Sequence, residues 1–262
     1  MNYFDNEMKI LEWFRDVPTQ CVCFPHQSED CVNLYTSLTN SENFKEWINS
    51  SGKSDPPPDF YNPKLKIMMD VMRVDDHGHV NENGKFINPV NQRESEIQRQ
   101  IRTSGFLDNF PNLQEIIVNA VTDLPSYEDH NHNYYFENFS RTIKKHIERI
   151  PLYQRNHPEY VTTFFVFDES SGYVLVDDEK QAERGVKKGE QFYYRPYLHF
   201  SDKRFADIFL NSNIDFLIWY SPFKHFETTM PEMPTACVYD IKKLTSSDFI
   251  DYPAKLIMSV DE

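Results

Sequence analysis

Two aspartates stand where a carboxylate most readily does metal chemistry. Asp59 follows Pro56-Pro57-Pro58, which fix the backbone ahead of it. Asp70 lies in the middle of an apolar run, Lys64–Val74 (KLKIMMDVMRV). An acid in apolar company is costly unless it is paired or binds a cation. Phosphodiester hydrolysis needs hard divalent ions that polarise the phosphate and activate water, and carboxylates on rigid strands are how such ions are held. If the segment from Asp59 to Asp70 folds as a hairpin, the two side chains can converge. The plainer alternative is that Asp59 caps a turn and Asp70 forms a buried ion pair with Arg73 or Lys66.

A second pattern is Asp75-Asp76-His77-Gly78-His79 together with Asp129-His130-Asn131-His132. Each is a histidine pair beside an aspartate, and the two could hold a transition metal if their loops meet. Each also lies in a polar, Asn-rich stretch that reads equally as a solvated turn. His77 is a further candidate general base, because an imidazole titrates near neutrality. Asp168-Glu169 closes an apolar strand and reads as the start of a turn with Ser170, Ser171 and Gly172. Cys21, Cys23 and Cys31 lack a second ligand pair at zinc spacing and read as buried small residues. The stretch Arg141–Arg155 carries five Lys or Arg against one Glu.

The elements that must position these residues follow from periodicity. Ile10, Leu11 and Phe14 mark a helix over Glu7–Arg15, and TQCVCF a short strand. Thr39 with Glu42 forms a capping box for a helix over Ser41–Asn49. Lys64–Val74 reads as a strand, and Asn83-Gly84 as a turn. Polar helices are expected over Arg93–Thr103 and Asn112–Val121. Phe136, Phe139, Ile143, Ile147 and Ile150 share one face of a helix over Tyr134–Ile150 that Pro151 ends. Val161–Phe167 (VTTFFVF) is a central strand buried on both faces. GYVLV, QFYYRPYLHF, IDFLIWY and PTACVYDI are later strands, with a short helix from Ser201 to Phe209. Helices and strands mix without strict alternation, so the fold class is α+β with a mixed β-sheet flanked by helices, in a single domain over 1–262.

Composition narrows the function classes. The chain has 262 residues, 39% hydrophobic, with 21 Phe, 15 Tyr, and seven Gly against 16 Pro. There is no dinucleotide fingerprint, P-loop, nucleophile elbow or HExxH helix. The N-terminus mixes acidic and apolar residues, unlike a signal peptide, and no run approaches membrane-span length, so a cytoplasmic protein is expected, with no membrane partner. A net charge of −14 weighs against broad nucleic-acid binding. The basic stretch is the local exception.

Asp59-Phe60 followed by Lys66–Val74 (KIMMDVMRV) resembles the PD-(D/E)xK, or restriction-endonuclease-like, nuclease superfamily, whose pattern is Pro-Asp, a spacer, then an acid-x-Lys strand. The resemblance covers about sixteen residues. It implies a nuclease-like core and Mg²⁺- or Mn²⁺-dependent hydrolysis, with Asp59 and Asp70 as metal ligands and a carboxylate from an early helix, here Glu42 or Glu46. The family lysine is replaced by Met72. Lys66, in phase with Asp70, or Glu94 with Gln98 on the following helix would then complete the site. Arg141, Lys144 and Lys145 would be the phosphate contacts. The alternatives are a non-catalytic module that keeps the fold and binds a protein partner, and a His/Asp metallohydrolase.

Overall fold

Side-chain alternation along Val161–Asp168 decides the architecture. Phe165 and Phe167 enter one apolar cluster while Phe164 and Val166 enter another, so this strand is covered on both faces. The computed structural model describes residues 7–50, 58–110 except 82, 112–113, 116, 118, 120, 130–184, 193–224 and 233–260. Within them the strands are β1 (Val22–Cys23), β2 (Ile48–Asn49), β3 (Phe60–Asn62), β4 (Ile67–Val74), β5 (His79–Val80), β6 (Phe86–Ile87), β7 (Val161–Asp168), β8 (Tyr173–Val176), β9 (Tyr194–Pro196), β10 (Phe216–Tyr220), β11 (Ala236–Asp240) and β12 (Ile257–Ser259). The helices are α1 (Glu7–Arg15), α2 (Glu29–Thr39), α3 (Ser41–Phe44), α4 (Pro89–Thr103), α5 (His132–Ile147), α6 (Ile150–Asn156), α7 (Glu179–Arg184) and α8 (Lys203–Phe209).

The main sheet has seven strands in the order β1-β11-β10-β7-β4-β3-β2. Strands β4, β7 and β10 run parallel at its centre, and β4, β3 and β2 form an antiparallel meander at one side. A three-stranded sheet, β12-β8-β9, and the β5-β6 hairpin complete an α+β fold with a mixed sheet. One face of the main sheet meets α1 and α2 through Ile10, Leu11, Phe14, Leu34 and Leu38. The other meets α5, α6 and α8 through Phe139, Ile143, Tyr153, Phe205 and Phe209. The connections β4-α5-β7 and β7-α8-β10 place their helices on the same face, as successive crossovers of one hand must. No described helix is long and apolar enough to cross a membrane.

Several expected elements shift for local reasons. The Ser41–Asn49 helix stops at Phe44, and Ile48–Asn49 pairs instead with β3; its cap is Asn40, whose Oδ1 accepts from Glu42 N and Asn43 N. The helix expected over Tyr134–Ile150 begins at His132 and breaks after Ile147. Pro151 does not end it; it sits in the first turn of α6, where its missing N–H has no helical partner to lose. The strand expected over Lys64–Val74 begins only at Ile67, after a turn over 63–66. Five of the ten residues of the expected helix Asn112–Val121 lie outside the described residues, and the five that are described are not helical.

Candidate functional site

Register brings the two aspartates together. Phe60 is opposite Met69 across the antiparallel β3–β4 pair, so Asp59, one step before β3, stands opposite Asp70. The backbone on either side is pinned: Ser50 N donates to Asp59 O at 2.8 Å, and Ser50 Oγ donates to Pro58 O at 2.5 Å. Asp59 Oδ2 accepts from Val71 N at 2.8 Å, and its carboxyl faces that of Asp70 across the strand pair. Burial, the neighbouring Asp70 and the more distant Glu7 push the Asp59 carboxyl up to about 9, against the pull of the Val71 N–H. Near neutral pH the Asp59 carboxyl therefore keeps its proton beside Asp70.

Asp70 is only 4% exposed, on the β4 face that packs against α5 and α6. Its Oδ2 accepts from Tyr153 Oη at 2.7 Å and contacts His146 Nδ1. Burial and Asp70 both raise the Tyr153 phenol, which therefore stays a neutral donor. His146 reaches Asp70 because it lies three residues after the buried Ile143, on the inward stripe of α5. With Asp70 accepting at Nδ1, the neutral imidazole carries its proton there and presents Nε2 on the far side of the ring. The His146 side chain is 15% exposed, so the dyad reaches the surface through this ring.

Other expected site residues lie elsewhere. Lys66 is not on the strand. It has a left-handed backbone (φ 53°), precedes Ile67, and pairs with Glu159 at 3.0 Å on the surface, so even-odd phase with Asp70 does not extend to it. Glu94 belongs to a different group: burial raises its carboxyl, Arg73 opposes the rise, and Glu169 adds to it. Arg73 in turn grips Glu169 through two bonds, Nε–Oε2 at 2.6 Å and Nη2–Oε1 at 2.7 Å. Glu42 and Glu46 are exposed beside Lys45 (2.8 Å) and Lys64 (4.0 Å). The early helix that does bear on Asp59 is α1, through Glu7. Met72 is buried in the apolar cluster under α5. Lys144 and Lys145 are exposed on the last turns of α5, next to His146. Arg141, farther back, stacks on Phe86 with its guanidinium 3.8 Å from the ring centroid and lines an open cleft of about 580 Å³ with Asn88, Gln92 and Arg99.

The histidine loops do meet. Asp76, His77 and His130 bring one ligand atom each to within 4.8 Å of one another. His130 Nδ1 lies 3.0 Å from Asp76 Oδ1, and the His77 and His130 rings are 4.9 Å apart. Burial alone would raise the Asp76 carboxyl, but His130, Tyr173 and Ser171 hold it down to about 2. His132 turns away into the core, where Nε2 meets Tyr197 Oη at 2.8 Å and burial holds it well below the ordinary histidine range. His79 pairs with Ile87 in the β5–β6 hairpin, and Asp129 lies outside the described residues. Asp168 is the centre of a separate buried network with Tyr135, Ser170, Trp219 and Ser221.

Two site residues carried only a weak sequence signal. His146 is a polar residue set into the apolar stripe Phe139–Ile143–Ile147, and Glu7 reads locally as a helix N-terminal acid. Comparison with protein-family models, with curated proteins and with solved structures finds no match for this chain.

Proposed function

We propose that this protein is a nuclease-like phosphodiesterase that uses a divalent ion at Asp59 and Asp70, with His146 as the proton acceptor. The observation that carries the reading is the carboxyl pair. Two acids meet across adjacent strands, and burial beside Asp70 keeps the Asp59 carboxyl protonated well above the ordinary carboxylate range. A divalent cation is the natural replacement for that proton. Hard carboxylate oxygens of this kind fit Mg²⁺ or Mn²⁺. Asp59 and Asp70 would hold the ion, which when bound polarises the phosphate and stabilises developing charge.

The protein's own part is to position and to move a proton. Asp70 fixes the His146 tautomer, so Nε2 is the atom that accepts a proton from the attacking water. This gives the chain a base at the strand–helix contact, although Met72 stands where the family lysine would. Tyr153 donates to Asp70 and holds its carboxylate in place for both roles. Lys144 and Lys145, adjacent to His146, supply phosphate contacts despite the net charge of −14. A second reading, a non-catalytic module that binds a protein, draws support from the buried Met72 and from the exposed Phe106 and Phe110, whose tilted rings lie 4.8 Å apart.

The test is cleavage of plasmid DNA, single-stranded DNA and RNA with Mg²⁺ or Mn²⁺. Asp70→Asn should lower the rate by at least about 100-fold, and His146→Gln by about 10²–10⁴-fold. Equal rates for wild type and Asp70→Asn would rule this site out and leave the binding module.

A further inference from the structure

A second, chemically different site lies beyond the C-terminal end of β4. We infer that Asp76, His77 and His130 form a binding site for one divalent transition-metal ion of the zinc class. One carboxylate oxygen and two imidazole nitrogens fall within 4.8 Å of one another, the one such group of three His, Cys, Asp or Glu among the described residues. Ligand atoms around a tetrahedral ion at 2.0–2.1 Å are about 3.3 Å apart. Asp76 Oδ1 and His130 Nδ1 are already at 3.0 Å, so closing the set on an ion needs side-chain movements rather than a new backbone.

Asp76 is buried, and its other oxygen, Oδ2, accepts from Ser171 N at 2.8 Å, Ser171 Oγ at 2.7 Å and Tyr173 Oη at 2.6 Å. Those three donors, from the turn between β7 and β8 and the start of β8, aim Oδ1 at the two rings. His77 rests on a fixed loop: its N–H donates to Asp75 Oδ1 at 3.2 Å, and Asp75 is gripped by Asn88 Nδ2 (2.9 Å to each oxygen) and Asn138 Nδ2 (3.0 Å). Outer-shell support of this kind orients metal ligands and tunes affinity. Both rings are only partly buried, which leaves one side of the set open to water. Three protein ligands with an open position is the pattern of catalytic rather than purely structural zinc.

Two nitrogens and one oxygen suit zinc, cobalt, nickel or iron(II), whereas magnesium prefers oxygen alone. The site is therefore distinct in metal type from the Asp59–Asp70 pair, and it does not depend on that reading. It joins the segment after β4 to the residues leading into α5, 53 positions later in the chain. A bound ion would clamp the start of that helix to the sheet.

The experiment uses the full chain, stripped with a chelator and then titrated with Zn²⁺ against a chromophoric competitor, and with Co²⁺ read by its visible absorption. Wild type, His77→Gln, His130→Gln and Asp59→Asn are compared, with circular dichroism to check folding. One Zn²⁺ per chain is expected for wild type and Asp59→Asn, unaffected by millimolar Mg²⁺. Each glutamine variant should bind at least about 10-fold more weakly and lose the Co²⁺ spectrum. If His130→Gln fails to fold, His77→Gln, on a half-exposed loop, decides alone. No stoichiometric binding by wild type, or undiminished binding by His77→Gln, overturns the inference.

Discussion

Asp168→Ala should remove about 4 kcal/mol or more of stability, read as a loss in urea midpoint or melting temperature. Asp168 has no exposed surface, yet its Oδ2 accepts from Tyr135 Oη (2.5 Å), Trp219 Nε1 (2.9 Å) and Ser221 Oγ (2.9 Å). Its Oδ1 accepts from Ser170 N (3.0 Å) and Ser170 Oγ (2.6 Å). Lys224 Nζ, itself buried, stands 3.5 Å away. Truncation removes the carboxylate 3.5 Å from the buried Lys224 cation and takes the acceptor away from several buried donors. Each stranded donor costs on the order of 1–3 kcal/mol, and a broken buried charge pair about 3–5 kcal/mol. These losses overlap, so they do not add. Asp168→Asn keeps an acceptor oxygen and should recover part of the loss. A change below about 1 kcal/mol for the alanine variant would show that the network is not a keystone of the β7–β10 core.

Asp59→Asn should have the opposite sign, stabilising the metal-free protein by about 1–3 kcal/mol at pH 8. In the unfolded chain this carboxyl titrates near 3.9. In the folded protein it is pushed up to about 9 by burial, by Asp70 and by Glu7. Between those values the native state keeps a proton that the unfolded state has given up. Stability from this group is therefore fully present below the unfolded pKa and falls as pH rises toward the folded one, by at most about 1.4 kcal/mol per pH unit. Asparagine can donate to Asp70 and still accept from Val71 N without a titrating proton. The difference between variant and wild type should thus grow from pH 5 to pH 8, in chemical unfolding measured across that range. A difference that does not change with pH would mean that the pair is ionised in the native state. A substitution that strengthens the fold while removing a cation ligand is the behaviour expected of a functional acid.

How much of this was legible in the sequence depends on the range of the interaction. The Asp59–Asp70 encounter is local: a hairpin with a fixed register, signalled by prolines before one acid and apolar neighbours around the other. Lys66 misled because alternation holds only inside a strand, and the positive φ at that residue moves the start of β4 to Ile67. Ile48–Asn49 was hidden in a helical pattern because its two-residue pairing with β3 is set by tertiary contact, which overrides propensity. Helix α2 went unread although Cys31, Leu34, Tyr35 and Leu38 carry its apolar face. The partners of Asp70 come from 76 and 83 positions away, and the meeting of His77 with His130 spans 53. No local pattern encodes contacts made by a helix crossing over a sheet.

The central claim is that Asp59 and Asp70 form one site that exchanges a proton for a divalent cation. It is tested most directly by calorimetric titration of Mn²⁺ at pH 7.5 in two buffers of different ionisation enthalpy, in a His77→Gln background so that only the carboxylate pair is read. About one proton should be released per ion bound, because the group that titrates at about 9 gives up its proton to admit the metal, and Asp59→Asn should abolish both binding and release. Binding without proton release, or binding that survives Asp59→Asn, would contradict the account.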